Sequence, residues 1–207
     1  MGQMPLWDVQ TDVLAAAVLA ALLLVAWTVA RALRRRRLAA VYAALADSVA
    51  SRLVLRGKLS ARGFTADYEP APAPFRSLSV EAGPAGRRGV LAFYGTLSRA
   101  PASELIWVRN TPPLNALGHN PGAGLWTSRR LDIAAAEYAT RGDNPNAIRH
   151  EFQELLTRFG PALLRVSVQQ DRTPHLEVKA LHASLAAGEI GPLVEAVRAL
   201  GRAALIG

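Results

Sequence analysis

From Val13 to Ala30 the chain offers 18 consecutive uncharged positions, apolar except for Thr28, and the next seven residues hold Arg31, Arg34, Arg35, Arg36 and Arg37. A helix with an apolar surface all round has no face for water, so this run predicts a helix whose solvent is lipid. At about 1.5 Å of rise per residue, a hydrocarbon core of about 30 Å takes roughly 20 residues. Val13 to Leu33 meets that length if Arg31 extends its guanidinium toward the interface while its stem stays in the apolar layer. Trp7 and Trp27 fall where the two interfacial aromatic belts would lie.

Beyond the arginines the pattern changes. Leu38, Val41, Tyr42, Leu45 and Val49 recur at three- and four-residue spacings, which predicts one apolar stripe of a helix. That helix either continues from the span to about Ser51 or bends at the interface, and its expected role is to pack on the domain that follows. From Leu53 the period shortens toward strands. Leu53-Val54-Leu55 and Phe64 to Tyr68 flank the Arg62-Gly63 turn and predict a hairpin. Glu69 to Pro74 is an extended connector, because proline blocks both helix and central-strand pairing. Phe75 to Glu81, Gly89 to Leu97 and Glu104 to Arg109 are further predicted strands, with turn residues over Gly83 to Gly89.

Asn110 to Gly124 is irregular and rich in proline and glycine, with short extended pieces expected around Leu125 to Thr127 and Glu137 to Thr140. A helix is then predicted with Asp143 or Asn144 as cap, Pro145 in the first turn, and Ile148, Phe152, Leu155, Leu156 and Phe159 as its buried face. Gly160 and Pro161 stop it. Leu163 to Val168 and His175 to Leu181 predict a strand pair, and Pro192 is expected to open a last helix with Leu193, Val194, Val197, Leu200 and Leu205 as its stripe. The expected class is α+β: one N-terminal transmembrane helix, then a small, mostly antiparallel sheet domain with helices late in the chain. The expected division is 1–12 extracytoplasmic, 13–33 transmembrane, 34–52 basic juxtamembrane helix and 53–207 cytoplasmic domain.

The stretch Leu131 to Phe152, LDIAAAEYATRGDNPNAIRHEF, resembles a segment of uncharacterised bacterial single-pass membrane-anchored proteins with a small α+β domain. There an aspartate-containing turn, a short strand and a Gly-Asp-x-Pro helix start follow in that order. Gly142, Asp143 and Pro145 match the helix start, whereas Ala134 to Ala136 stand where an aromatic residue is often found. The resemblance implies a fold type and no activity.

Charge adds direction. Cytoplasmic flanks of spanning helices carry the excess of Lys and Arg. The five arginines follow the span, while only Asp8 and Asp12 precede it, so the expected topology is N-terminus outside and domain inside, in the cytoplasmic membrane. A cleaved secretory signal is the competing reading, with Thr28-Val29-Ala30 as its cleavage site. Against it, Met1 to Asp12 lacks the positive charge such signals begin with, and the apolar run exceeds the usual length. The formal net charge of +8 would suit nucleic acid. Once the two aspartates and the arginine block are set aside, however, the rest carries +5, mostly spread out. No nucleic-acid partner is expected, and membrane lipid accounts for the arginine block.

Candidate chemistry is sparse. With no cysteine, disulfides, thiolate metal sites and cysteine nucleophiles are excluded. His119, His150, His175 and His182 form no ligand spacing, although His175 and His182 could share a strand end and His150 and Glu154 an i, i+4 metal pair. No Gly-x-Ser-x-Gly elbow, phosphate loop or dinucleotide fingerprint occurs. Gly118 to Gly124, followed by Arg129 and Arg130, is the one glycine-rich loop that could cradle an anion.

No cofactor and no catalytic residue is expected. Trp107 and Trp126 are each expected either to close the core or to join a contact surface. Leu125 and Trp126 suit a protein contact, as do Ala16 and Ala20, a small-x-x-x-small pair that lets helices approach in lipid. The expected function is that of a non-enzymatic accessory or scaffold subunit bound to other integral-membrane subunits. Bacterial photosynthetic and respiratory assemblies contain small subunits of this build. The alternative is a membrane-tethered enzyme or anion-binding module using the Gly118 to Arg130 loop.

Overall fold

The computed structural model describes residues 6–83, 89–110, 127–130, 137–142, 145–170 and 172–206. Helix α1, Leu6–Ala46, is continuous across 41 residues, so the apolar run and the stretch after the arginines form one unbroken helix. Among the described residues nine strands follow: β1 Arg52–Leu55, β2 Phe64–Glu69, β3 Phe75–Gly83, β4 Val90–Leu97, β5 Ser103–Val108, β6 Thr127–Arg130, β7 Glu137–Gly142, β8 Leu163–Gln170 and β9 Pro174–Leu181. Helix α2, Pro145–Phe159, separates β7 from β8, and α3, Ala187–Ala204, closes the chain.

All nine strands join one sheet in the order β1-β2-β3-β4-β9-β8-β5-β7-β6, and every pairing is antiparallel. The class is α+β. The β8–β9 hairpin inserts between β4 and β5, so those consecutive strands are not neighbours. Side chains alternate across the pleat. Leu91, Phe93 and Leu97 of β4, Leu176 and Val178 of β9, and Leu105 and Trp107 of β5 belong to the buried core. The opposite face carries polar residues: Glu177 bridges Arg165 at 2.7 Å and Lys179 at 2.6 Å, and the Lys179 ammonium stands 5.6 Å from the centre of the Tyr94 ring.

The helices cover the core face. Ile148, Phe152, Leu155, Leu156 and Phe159 of α2 are all buried, as the stripe predicts. Phe152 meets Trp107 at 6.0 Å and Tyr138 at 5.4 Å between ring centres, which places Trp107 in the core. Helix α3 starts at Ala187, five residues before the expected opening at Pro192. The Glu189 carboxylate accepts the Ala186 N–H at 2.7 Å and so starts the helix. Burial of Ile190 and Leu193 then carries the helix across Pro192, whose ring removes one backbone bond. Close packing of sheet and α3 depends on two glycines. A Cβ on Gly95 would lie 2.6 Å from the Phe75 ring and one on Gly201 2.9 Å from it, so Phe75 is seated between them.

Candidate membrane anchor and interfacial cleft

α1 is one helix in two environments. It is the one helix among the described residues that is long and apolar enough to cross a membrane, with a mean hydropathy of 2.6 in a window that is 0% buried. Leu19, Leu22, Leu23 and Leu24 are about three-fifths exposed to solvent in the isolated chain. Below the arginines, Leu38, Val41 and Leu45 are buried against the domain.

The joint between the halves is specific. The Tyr42 hydroxyl donates to the Leu53 carbonyl at 2.8 Å, and its ring meets Phe64 edge-on at 5.5 Å. At the C-terminal end of α1 the Leu45 carbonyl accepts from Ser48 Oγ at 2.6 Å and from the Tyr68 hydroxyl at 3.1 Å. The Ser48 N–H donates to it as well at 3.2 Å, so this carbonyl of the last turn is satisfied without an i+4 partner. Burial pushes the Tyr68 hydroxyl pKa up to about 12 against a weaker opposing pull from Ser48, so it remains a donor throughout the physiological range. Helix α1 is thereby locked to β1 and β2.

Arg31, Arg34, Arg35, Arg36 and Arg37 are all exposed on α1. At 3.6 residues per turn they surround the helix with no angular gap wider than about 100°, over a rise of about 9 Å. This is a collar and not a stripe, and its height suits a headgroup layer. The Arg31 guanidinium lies 5.2 Å from the centre of the Trp27 ring. Ala16 and Ala20 are exposed, and by helical periodicity they share the face of Trp27 and Leu45. Trp7 lies in α1, but its side chain is outside the described residues, as are Leu125, Trp126 and Gly118 to Gly124. Arg129 and Arg130 are in β6, paired with Tyr138 and Glu137 of β7.

The tip of the β1–β2 hairpin, residues 56–63, returns alongside α1 at the level of the collar. Two clefts flank it. One, of 650 Å³, is lined by Trp27, Ala30, Arg31, Arg34 and the tip residues Ser60, Ala61 and Arg62. The other, of 710 Å³, shares Trp27, Arg31, Ser60 and Ala61 with it and is lined further by Arg35, Arg36, Lys58 and Leu59. Sequence reasoning missed the tip residues. Their only signal is a basic, small and apolar run, Lys58 to Arg62, between two predicted strands; its return to α1 is a product of tertiary packing.

At the same end of the sheet His182 follows β9 and packs on Gly89, where a Cβ would lie 2.0 Å from the imidazole. Burial, and next the charge of Arg37, lower the His182 pKa below its ordinary value. His175 stands at the other end of β9, about 23 Å away at about 3.3 Å per residue, so the two histidines do not share a strand end. His150 and Glu154 are exposed on α2, and no group of three or more metal-binding side chains occurs among the described residues.

Elsewhere, Glu104 is buried and accepts from Arg141 and from the Gln170 N–H. Burial would raise the Asp67 carboxyl, but a hydrogen bond from Ser79 and the Arg56 guanidinium together bring it below its usual value. Both groups serve the sheet. In comparisons with known proteins, no family model, no curated protein and no solved structure matches this chain.

Proposed function

We propose that this chain is a non-enzymatic, single-pass accessory subunit of a larger integral-membrane complex, with its N-terminus outside and its α+β domain held at the cytoplasmic face. The observation that supports it is the unbroken α1: its apolar half has no partner among the described residues, while its other half is bonded into the domain at Leu45, Tyr42 and Tyr68. Such a rod fixes the height of the domain above the bilayer, which a scaffold needs and a flexible tether does not supply. The Ala16 and Ala20 face allows close approach of a neighbouring helix. The positive-inside bias of the collar supports the orientation.

Extraction in a gentle detergent followed by size analysis tests the reading. A large co-migrating assembly is the expected result. A free monomer or homodimer would contradict it and favour the tethered enzyme or anion-binding module built on Gly118 to Arg130. Protease digestion of the domain from outside intact spheroplasts would overturn the orientation.

A further inference from the structure

We propose that the two clefts between α1 and the β1–β2 tip bind the phosphate headgroup of an anionic phospholipid. Three observations carry this. First, the clefts gather Arg31, Arg34, Arg35, Arg36, Lys58 and Arg62, and no acidic residue lines either of them. Among the described residues none of these six cations forms an ion pair with a carboxylate. Like charges brought together at the rim of a low-dielectric layer repel, and a bound anion converts that repulsion into attraction. Second, the arrangement is held in place. Tyr42 bonded to Leu53, and Arg56 paired with Asp67, fix the hairpin whose tip supplies Lys58 and Arg62. Third, Trp27 and Ala61 line both clefts, joined by Ala30 in one and by Leu59 in the other, so each has an apolar wall beside the cations. A free phosphate has no use for that wall, whereas the glycerol and upper acyl carbons of a phospholipid do.

The inference rests on the anchor reading, because only a membrane-spanning α1 places Trp27 to Arg36 at the headgroup level. Its test uses the full-length protein in vesicles of equimolar phosphatidylcholine and phosphatidylglycerol. After detergent extraction, the retained lipid is identified by native mass spectrometry. The wild type is expected to retain phosphatidylglycerol in preference to phosphatidylcholine. Each basic group near an anionic surface contributes about a fivefold preference, so Lys58→Ala with Arg62→Ala is expected to reduce the enrichment by more than about tenfold. The pair Lys58→Arg with Arg62→Lys is expected to preserve it. Lys58 and Arg62 are exposed, so these changes leave the fold intact.

Enrichment in the alanine variant equal to that of the wild type would overturn the assignment. So would inorganic phosphate that displaced phosphatidylglycerol as effectively as added phosphatidylglycerol does, since the apolar wall would then contribute nothing. Alkaline carbonate separates the two levels of the account. Release of the wild type from the membrane would overturn the anchor reading and this inference with it. Retention in the membrane without lipid enrichment would overturn this inference alone.

Discussion

The two halves of α1 use the same residue types to opposite ends. Leu22, Leu23 and Leu24 point in three directions from the helix and all lie open, whereas Leu38, Val41 and Leu45 form one stripe pressed on the domain. The first pattern is consistent with lipid as solvent, and the second with water on one side and protein on the other. Between them stands the arginine collar. Hydrophobicity alone therefore does not separate the two halves; the angular distribution of exposure about the helix does.

Truncating a leucine in each half separates the two environments. Leu45→Ala removes a fully buried side chain, and domain unfolding is expected to become easier by about 3 kcal/mol in a denaturant titration. Leu23→Ala in the same detergent is expected to leave domain stability unchanged. Placing a charge in the upper half tests its solvent from the other side. Leu23→Arg is expected to cost about 3 kcal/mol of insertion, seen as loss of protein from the membrane fraction. Full membrane recovery of that variant would contradict the assignment of lipid to this half.

The joint is tested by Tyr42→Phe, which keeps the ring on Phe64 and removes the bond to Leu53. A loss of about 1 kcal/mol in domain stability is expected from the same titration. The smallest effect concerns pH. His182 has its pKa lowered in the folded state from the ordinary 6.5, so the unfolded chain binds more protons once the pH falls below that value. Stability is then flat above 6.5 and declines as the pH falls through the window between the unfolded and folded values. His182→Gln is expected to flatten that part of the melting-temperature profile, and an unchanged slope would exclude His182 as its source.

Much of this architecture is legible in the residues themselves. The period of 3.6 in Ile148 to Phe159, and the apolar strand runs bounded by glycine and proline, are local signals, and the structure has elements there. What the sequence does not carry is which edges meet. Nothing local tells β5 to pair with β8 in place of β4, because that choice depends on the β8–β9 hairpin filling the gap. The start of α3 was obscured because Pro192 is a strong local signal, while burial of Ile190 is a tertiary one. Trp107 was ambiguous for the same reason until Phe152 stood opposite it. The arginine half of the clefts was visible as a charge run. The hairpin half was not, since Lys58 and Arg62 acquire meaning only when the tip returns to α1.

Whether the exposed half of α1 has lipid as its solvent is decided by washing membranes that carry the full-length protein with alkaline carbonate and then sedimenting them. The protein is expected in the pellet, and solubilised only by detergent. Recovery in the carbonate supernatant would contradict the claim.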